Sequence, residues 1–124
     1  MWIFTPTGFI SAVAKRSNPT NLTVRARDRR SLDGLAELSG TTATIGEGTD
    51  YPYRVVVSRE LFKHWMSTQV DELDYSNFKS EAERVSGYEY ASVLGQIWHS
   101  GLSLEDQESA QHYFDLSVSH KATN

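Results

Sequence analysis

The sequence predicts an α+β protein: an antiparallel sheet of about five short strands in the order β-β-β-α-β-β, followed by three C-terminal helices packed on one face. Three observations predict it. Residues 2–57 alternate short β-forming runs with turn clusters, and most links are too short for the crossovers that parallel strands need. From Ser58 onward the apolar residues change to helical spacing. At 124 residues the chain has room for one core. One domain is therefore expected over residues 1–118, with a frayed tail at 119–124.

Residues 2–5 are apolar and rich in β-formers. Pro6-Thr7-Gly8 follows with turn chemistry, because proline presets φ and glycine permits a positive one. Residues 9–15 resume the extended pattern, so 2–16 read as a hairpin. A second turn cluster occupies 17–21. Leu22, Val24 and Ala26 then alternate with Thr23, Arg25 and Arg27, the pattern of a half-buried strand. Asp28 or Ser31 can cap a short helix over 31–38, with Leu32, Leu35, Ala36 and Leu38 as its apolar side and Gly40 as its stop. Residues 41–47 read as a short strand and 48–50 as a turn. Residues 51–57 make the strongest strand, centred on Val55-Val56-Val57, with Pro52 marking a sheet edge or a strand end.

Ser58 can cap the next helix, which carries Leu61, Phe62, Trp65, Met66 and Val70 on one stripe. Asp74 or Ser76 can cap another through Val85, broken by Ser86-Gly87. Residues 88–99 place Ala91, Leu94, Ile97 and Trp98 at helical spacing, and Gly101 is read as the end. Ser103-Leu104-Glu105-Asp106 has the form of a capping box opening a last helix, with Ala110, Tyr113, Phe114 and Val118 facing inward.

The absence of cysteine excludes a disulfide scaffold, a thiol nucleophile and a thiolate zinc site. No apolar run is long enough to span a bilayer, and the N-terminus shows no signal-peptide pattern. A soluble cytoplasmic domain is expected, without membrane contact.

The formal net charge is −4, and it divides unevenly. Residues 1–70 hold nine basic and six acidic side chains, a formal +3; residues 71–124 hold three basic and ten acidic, a formal −7. Arg25, Arg27, Arg29 and Arg30 are dense within the first half. One reading makes them solvated charges on a sheet rim. The other makes Arg25 and Arg27 an anion-binding face, since a planar guanidinium fork fits phosphate or carboxylate. Arg54, Tyr51 and Tyr53 lie close in sequence to one another, although Arg54 opposes both tyrosines in a regular pleat. A register slip of one residue would turn the arginines to the other face. Glu105, Asp106, Glu108 and Asp115 form either a solvated acidic face or a surface for a basic partner.

Catalytic and metal signatures are sparse. His64, His99, His112 and His120 lie in no metal-ligand spacing, and no nucleophile elbow is present. His64 and His99 read as structural or exposed. Gly46-Glu47-Gly48 reads as a plain turn rather than a phosphate loop. Asp71, Glu72 and Asp74 read as capping or solvated acids. Tyr75-Ser76-Asn77-Phe78-Lys79 reads as a capped helix start, or alternatively as a place where Asn77 and Lys79 edge a binding groove.

Met1-Trp2-Ile3-Phe4 with Gly8-Phe9, Val24-Arg25-Ala26-Arg27, Asp50-Tyr51-Pro52-Tyr53-Arg54, Tyr75-Ser76-Asn77-Phe78-Lys79 and Trp98 follow one another in this order. The set resembles a family of small uncharacterised proteins of bacteria and their phages, over about residues 1–101. The resemblance implies no activity, cofactor or catalytic residue. It implies a phage or mobile-element setting and hence an accessory role, such as modulating a host system. The stretch from Ser103 reads as an extension.

The expected function is a non-enzymatic interaction module, with Arg25, Arg27, Arg54, Tyr53, Asn77 and Lys79 as its binding residues. No cofactor or metal is expected. A protein is the first partner expected, with nucleic acid or a nucleotide second. The alternatives are an enzyme acting on a phosphorylated molecule, with the arginines as clamp and Tyr53 or a histidine as acid/base, and an anti-defence inhibitor using the acidic helices. Two sheet edges leave both monomer and homodimer open.

Overall fold

The computed structural model describes residues 1–46 and 50–122, with side chains described as far as Glu105. The elements are β1 (Trp2–Thr5), β2 (Gly8–Lys15), β3 (Asn18–Ala26), α1 (Arg30–Ser39), β4 (Thr44–Ile45), β5 (Tyr53–Ser58), α2 (Arg59–Asp71), α3 (Phe78–Ser86) and α4 (Tyr88–Ala122). The strands form one antiparallel sheet in the spatial order β1-β2-β3-β5-β4. This is the α+β architecture that the sequence predicts. Pro52 marks the entry to β5, an interior strand, so its missing N–H stays outside the ladder.

Alternation decides the faces. Val24 pairs with Ala12 on one side and Val55 on the other, and all three point into the core. Ile10, Ala26 and Val57 join them, and α1 adds Leu32, Leu35 and Ala36 while α2 adds Phe62 and Trp65. The Phe62 and Trp65 rings stack at 5.6 Å between centroids. Val56 shows that the second face is uncovered there: it is 53% exposed, whereas Val55 and Val57 are each 4% exposed.

The hairpin between β1 and β2 is keyed to the start of α1. Gly8 has φ +153°, and a Cβ there would lie 2.1 Å from Ser31 Oγ. That oxygen accepts the Phe9 N–H at 3.1 Å. Asp28 Oδ1 accepts the Ser31 N–H at 3.0 Å just ahead of α1, whose N-cap position is Arg29. Ser31 is thus a buried link between helix and sheet.

The helices are arranged differently from the expectation of three C-terminal helices on one face. The covering layer is α1 with α2, whose apolar stripes fill the core face. Helices α3 and α4 pack chiefly on each other. Their hairpin joins the sheet at the β1–β2 turn. There Tyr90 Oη donates to the Thr5 carbonyl at 2.8 Å, Ser86 Oγ donates to the Pro6 carbonyl at 2.5 Å, and Arg30 Nη1 donates to the Ser86 carbonyl at 3.1 Å. The reason lies in side-chain volume: α3 buries only Ala82, too little to hold a place on the core face.

Helix α4 is a single element of 35 residues, so Gly101 does not end it and Ser103 does not open a new helix. A glycine in helical backbone costs roughly 1 kcal/mol relative to alanine but removes no hydrogen bond, and no proline follows to break the ladder. Ala91 and Leu94 are buried, whereas Ile97 and Trp98 are exposed. Helix α3 has nine residues and covers only the first turns of its longer partner. Val70, expected on the buried stripe of α2, is also exposed. The inward positions expected for Ala110, Tyr113, Phe114 and Val118 lie outside the described side chains, and residue 47 of the expected strand and residues 48–49 of the expected turn lie outside the described residues. Among the described residues no helix is long and apolar enough to cross a membrane.

Gly8→Ala should destabilise the protein by more than about 1 kcal/mol, because the new Cβ meets both a positive φ and Ser31. The urea midpoint should fall with an unchanged slope. A second test uses pH. Burial raises the Tyr90 phenol above its ordinary value of 10.0, the Asp28 charge adds to this, and Arg30 opposes it. The native state therefore favours the protonated phenol. That stability is complete below pH 10.0 and is lost as pH rises beyond it. Tyr90→Phe should cost about 1 kcal/mol at neutral pH and show a smaller alkaline loss than the parent in parallel denaturation curves.

Candidate functional site

The register that buries Val24 turns Arg25 to the uncovered face. Trp2 pairs with Ser11, Ser11 with Arg25, Arg25 with Arg54, and Arg54 with Thr44. Directly opposed residues share a face, so these five side chains form one rung across the whole sheet. Arg27 lies just past the end of β3, and its guanidinium reaches the same Tyr51 ring as that of Arg25. Phe4 and Phe9, paired with each other, are two positions from Trp2 and Ser11. The uncovered face therefore carries Arg25, Arg27 and Arg54 beside Trp2, Phe4 and Phe9.

Tyr51 organises the arginines. It is buried, and its ring lies 4.7 Å from the Arg25 guanidinium carbon and 5.1 Å from that of Arg27. A ring face attracts cations through its quadrupole, which offsets part of the repulsion between the two guanidinium groups. Arg25 Nη2 donates to Ser11 Oγ at 2.8 Å, and Arg27 Nη1 donates to the Asp50 carbonyl at 3.1 Å. Arg25 Nε is buried with no hydrogen-bond partner among the described residues. The ion pairs among the described residues are Lys63–Glu60 and Arg84–Glu81. None involves Arg25, Arg27 or Arg54, so no carboxylate among the described residues forms an ion pair with them.

The aromatic side chains continue from Tyr51. Its ring meets Phe9 at 6.3 Å, Phe9 stacks on Phe4 at 4.4 Å with 10° between planes, and Trp2 meets Phe9 edge-on at 5.6 Å. Trp2 remains 68% exposed. This ring series was missed by sequence reasoning. Its signal was available as the period-two placement of Trp2, Phe4 and Phe9 on two hairpin strands.

The structure divides the residues expected at the site. Arg25, Arg27 and Arg54 come together. Tyr53 does not join them: it pairs with Ala26 on the core side, packs against the core, and lies under Arg29 at 5.6 Å. Tyr51 takes its place, because β5 begins at Tyr53 and the regular pleat does not extend back through Pro52. Asn77 and Lys79 sit at the start of α3. Asn77 Oδ1 accepts the Ser80 N–H at 2.9 Å, which makes Asn77 the helix cap in place of Asp74 or Ser76. Lys79 lines a separate groove of about 570 Å³ between α3 and α4, with Glu83 and His99. His64 is exposed on α2. A clamp-plus-acid/base arrangement of the arginines with Tyr53, His64 or His99 is therefore not assembled.

Among the described residues no group of three or more histidine, aspartate or glutamate side chains is placed to share a metal ion. Asp71, Glu72 and Asp74 are exposed beyond the α2 stripe. Of the acidic C-terminal surface, Glu105 is exposed, while Asp106, Glu108, Asp115, His112 and His120 lie outside the described side chains. In comparisons with known proteins, no family model, curated protein or solved structure matches the chain.

Asn77→Ala should lower stability by about 1 kcal/mol, the usual worth of an N-cap. Thermal unfolding should register this loss. Binding of anions to the arginine face, measured in parallel, should be unchanged for both Asn77→Ala and Lys79→Ala.

Proposed function

We propose that the protein is a non-enzymatic binding module that holds an anionic group, carried on a nucleic acid or a protein, on the uncovered face of its sheet. One observation carries this reading. Arg25 and Arg54 are direct cross-strand neighbours on that face, and Arg25 and Arg27 share the ring of Tyr51. Like charges placed opposite each other destabilise an antiparallel pair. A bound anion between the forks would reverse the sign of that interaction through charge-assisted hydrogen bonds.

The net charge of −4 does not oppose this reading, because the acidic excess lies in residues 71–124, most of which belong to the α3–α4 hairpin. Apart from Glu89, which lines a cleft together with Arg27, charge beyond roughly 10 Å is screened by salt, while the arginines act at contact. In the phage or mobile-element setting implied by the resemblance, a module of this kind would act as an accessory factor that docks on a host component.

Fluorescence anisotropy with two labelled probes, a single-stranded oligonucleotide and an oligo-glutamate peptide, tests the reading. At least one should bind, with affinity falling as salt rises. Arg54→Ala and the double variant Arg25→Ala with Arg27→Ala should each weaken binding by about tenfold or more, the worth of one charged hydrogen bond. Arg27 is exposed, so Arg27→Ala alone serves as a control free of folding effects. Absence of binding to both probes, or binding that ignores all these variants, would sink the proposal.

A further inference from the structure

We infer that the aromatic cleft beside the arginines receives an unpaired nucleobase, so that the anion held on the sheet is a phosphate of single-stranded nucleic acid. The inference rests on the anion-binding reading above and names the ligand class.

The cleft lies between the uncovered end of the sheet and the first turns of α4. Its volume is about 680 Å³, within the ~300–1,000 Å³ range of small-molecule sites. Phe4, Phe9 and Tyr51 line the sheet side, and Val93 and Ile97 line the helix side. Phe4 and Phe9 stack face to face and Trp2 stands edge-on to Phe9, so the outside of a compact aromatic cluster lines the cleft. Bases stack on such surfaces with little regard to sequence, because each base has a π face.

Arg27 joins the two parts of the site. Its side chain lines the cleft and also lies over Tyr51 beside Arg25. A ring seated against the phenylalanines would therefore have its own or a neighbouring phosphate within reach of the guanidinium groups. Arg30 lines the same cleft and adds a second positive charge.

Other occupants fit less well. The side chains of an acidic peptide are carboxylates without rings, and the cleft already presents Asp28 and Glu89. Those carboxylates disfavour any anion inside the cleft, phosphate and carboxylate alike, but can accept hydrogen bonds from base N–H groups. A duplex keeps its bases stacked inside and offers one to a cleft only at the cost of unstacking and unpairing it.

Val93 is half exposed, which makes it a site for a blocking substitution that spares the core. The experiment uses the full chain and a mixed-sequence single-stranded oligonucleotide of about ten nucleotides, within the site sizes of single-strand binders. The comparison probes are an abasic oligomer with the same number of phosphates, the matching duplex, and oligo-glutamate. The single strand should bind about tenfold or more tightly than either the abasic oligomer or the duplex. Val93→Gln, which adds bulk and polarity without charge, should weaken the single strand about tenfold and leave the weaker abasic binding nearly unchanged. Equal binding of abasic and normal strands, or tighter binding of oligo-glutamate, would overturn the inference while leaving the anion-binding reading in place. Failure of all four probes to bind would overturn both.

Discussion

Strand β3 is paired on both sides, and its register holds Val24 between Ala12 and Val55. Each of these residues is buried beneath α1 and α2. Because alternation along a strand is strict, the same register directs Ser11, Arg25 and Arg54 to the opposite face. A slip of one residue would bury two arginines under the helices and expose the valine, a large loss on both counts. The hydrophobic core thus positions the charged face, although none of the arginines belongs to it.

The uncovered face carries a tension that the fold accommodates without a carboxylate counterion among the described residues. Arg25 lies near the end of β3 and Arg27 just past it, and Arg54 sits across from Arg25. Tyr51 offers a ring to two of them, Ser11 an acceptor to Arg25, and the Asp50 carbonyl an acceptor to Arg27. These partners are neutral: they orient the guanidinium groups without cancelling their charge. Such an arrangement suits a face that exchanges water for an anion, since desolvation has already been offset in part by the fixed contacts.

The α3–α4 hairpin has a different relation to the sheet. It is fastened to the β1–β2 turn through Tyr90 and Ser86, which donate to the Thr5 and Pro6 carbonyls, and to α1 through Arg30, which donates to the Ser86 carbonyl. Gly8 keeps that same turn close to Ser31, so one short segment locates β1, α1 and the hairpin together. The cleft beside the arginines exists because α4 is held there rather than on the core face.

Local chemistry and periodicity determined much of this protein from the sequence alone. The alternation of Leu22 to Arg27, the cap at Ser58, and the helical spacing after Ser58 led to five strands, their antiparallel pairing, and the grouping of Arg25 with Arg27. These features depend on neighbours a few residues apart. The tertiary structure decided what depends on distant contacts. It placed Tyr51 rather than Tyr53 with the arginines, because a proline at the strand entry ended the pleat that periodicity assumes. It assigned Asn77 to a helix cap and carried α4 through Gly101, since a glycine ends a helix only where the surrounding fold takes the chain elsewhere. Above all, it chose which helices cover the sheet. Amphipathic spacing shows that a helix has an apolar side, but only the competition for one finite face shows which helices occupy it, and that competition left the arginine face uncovered.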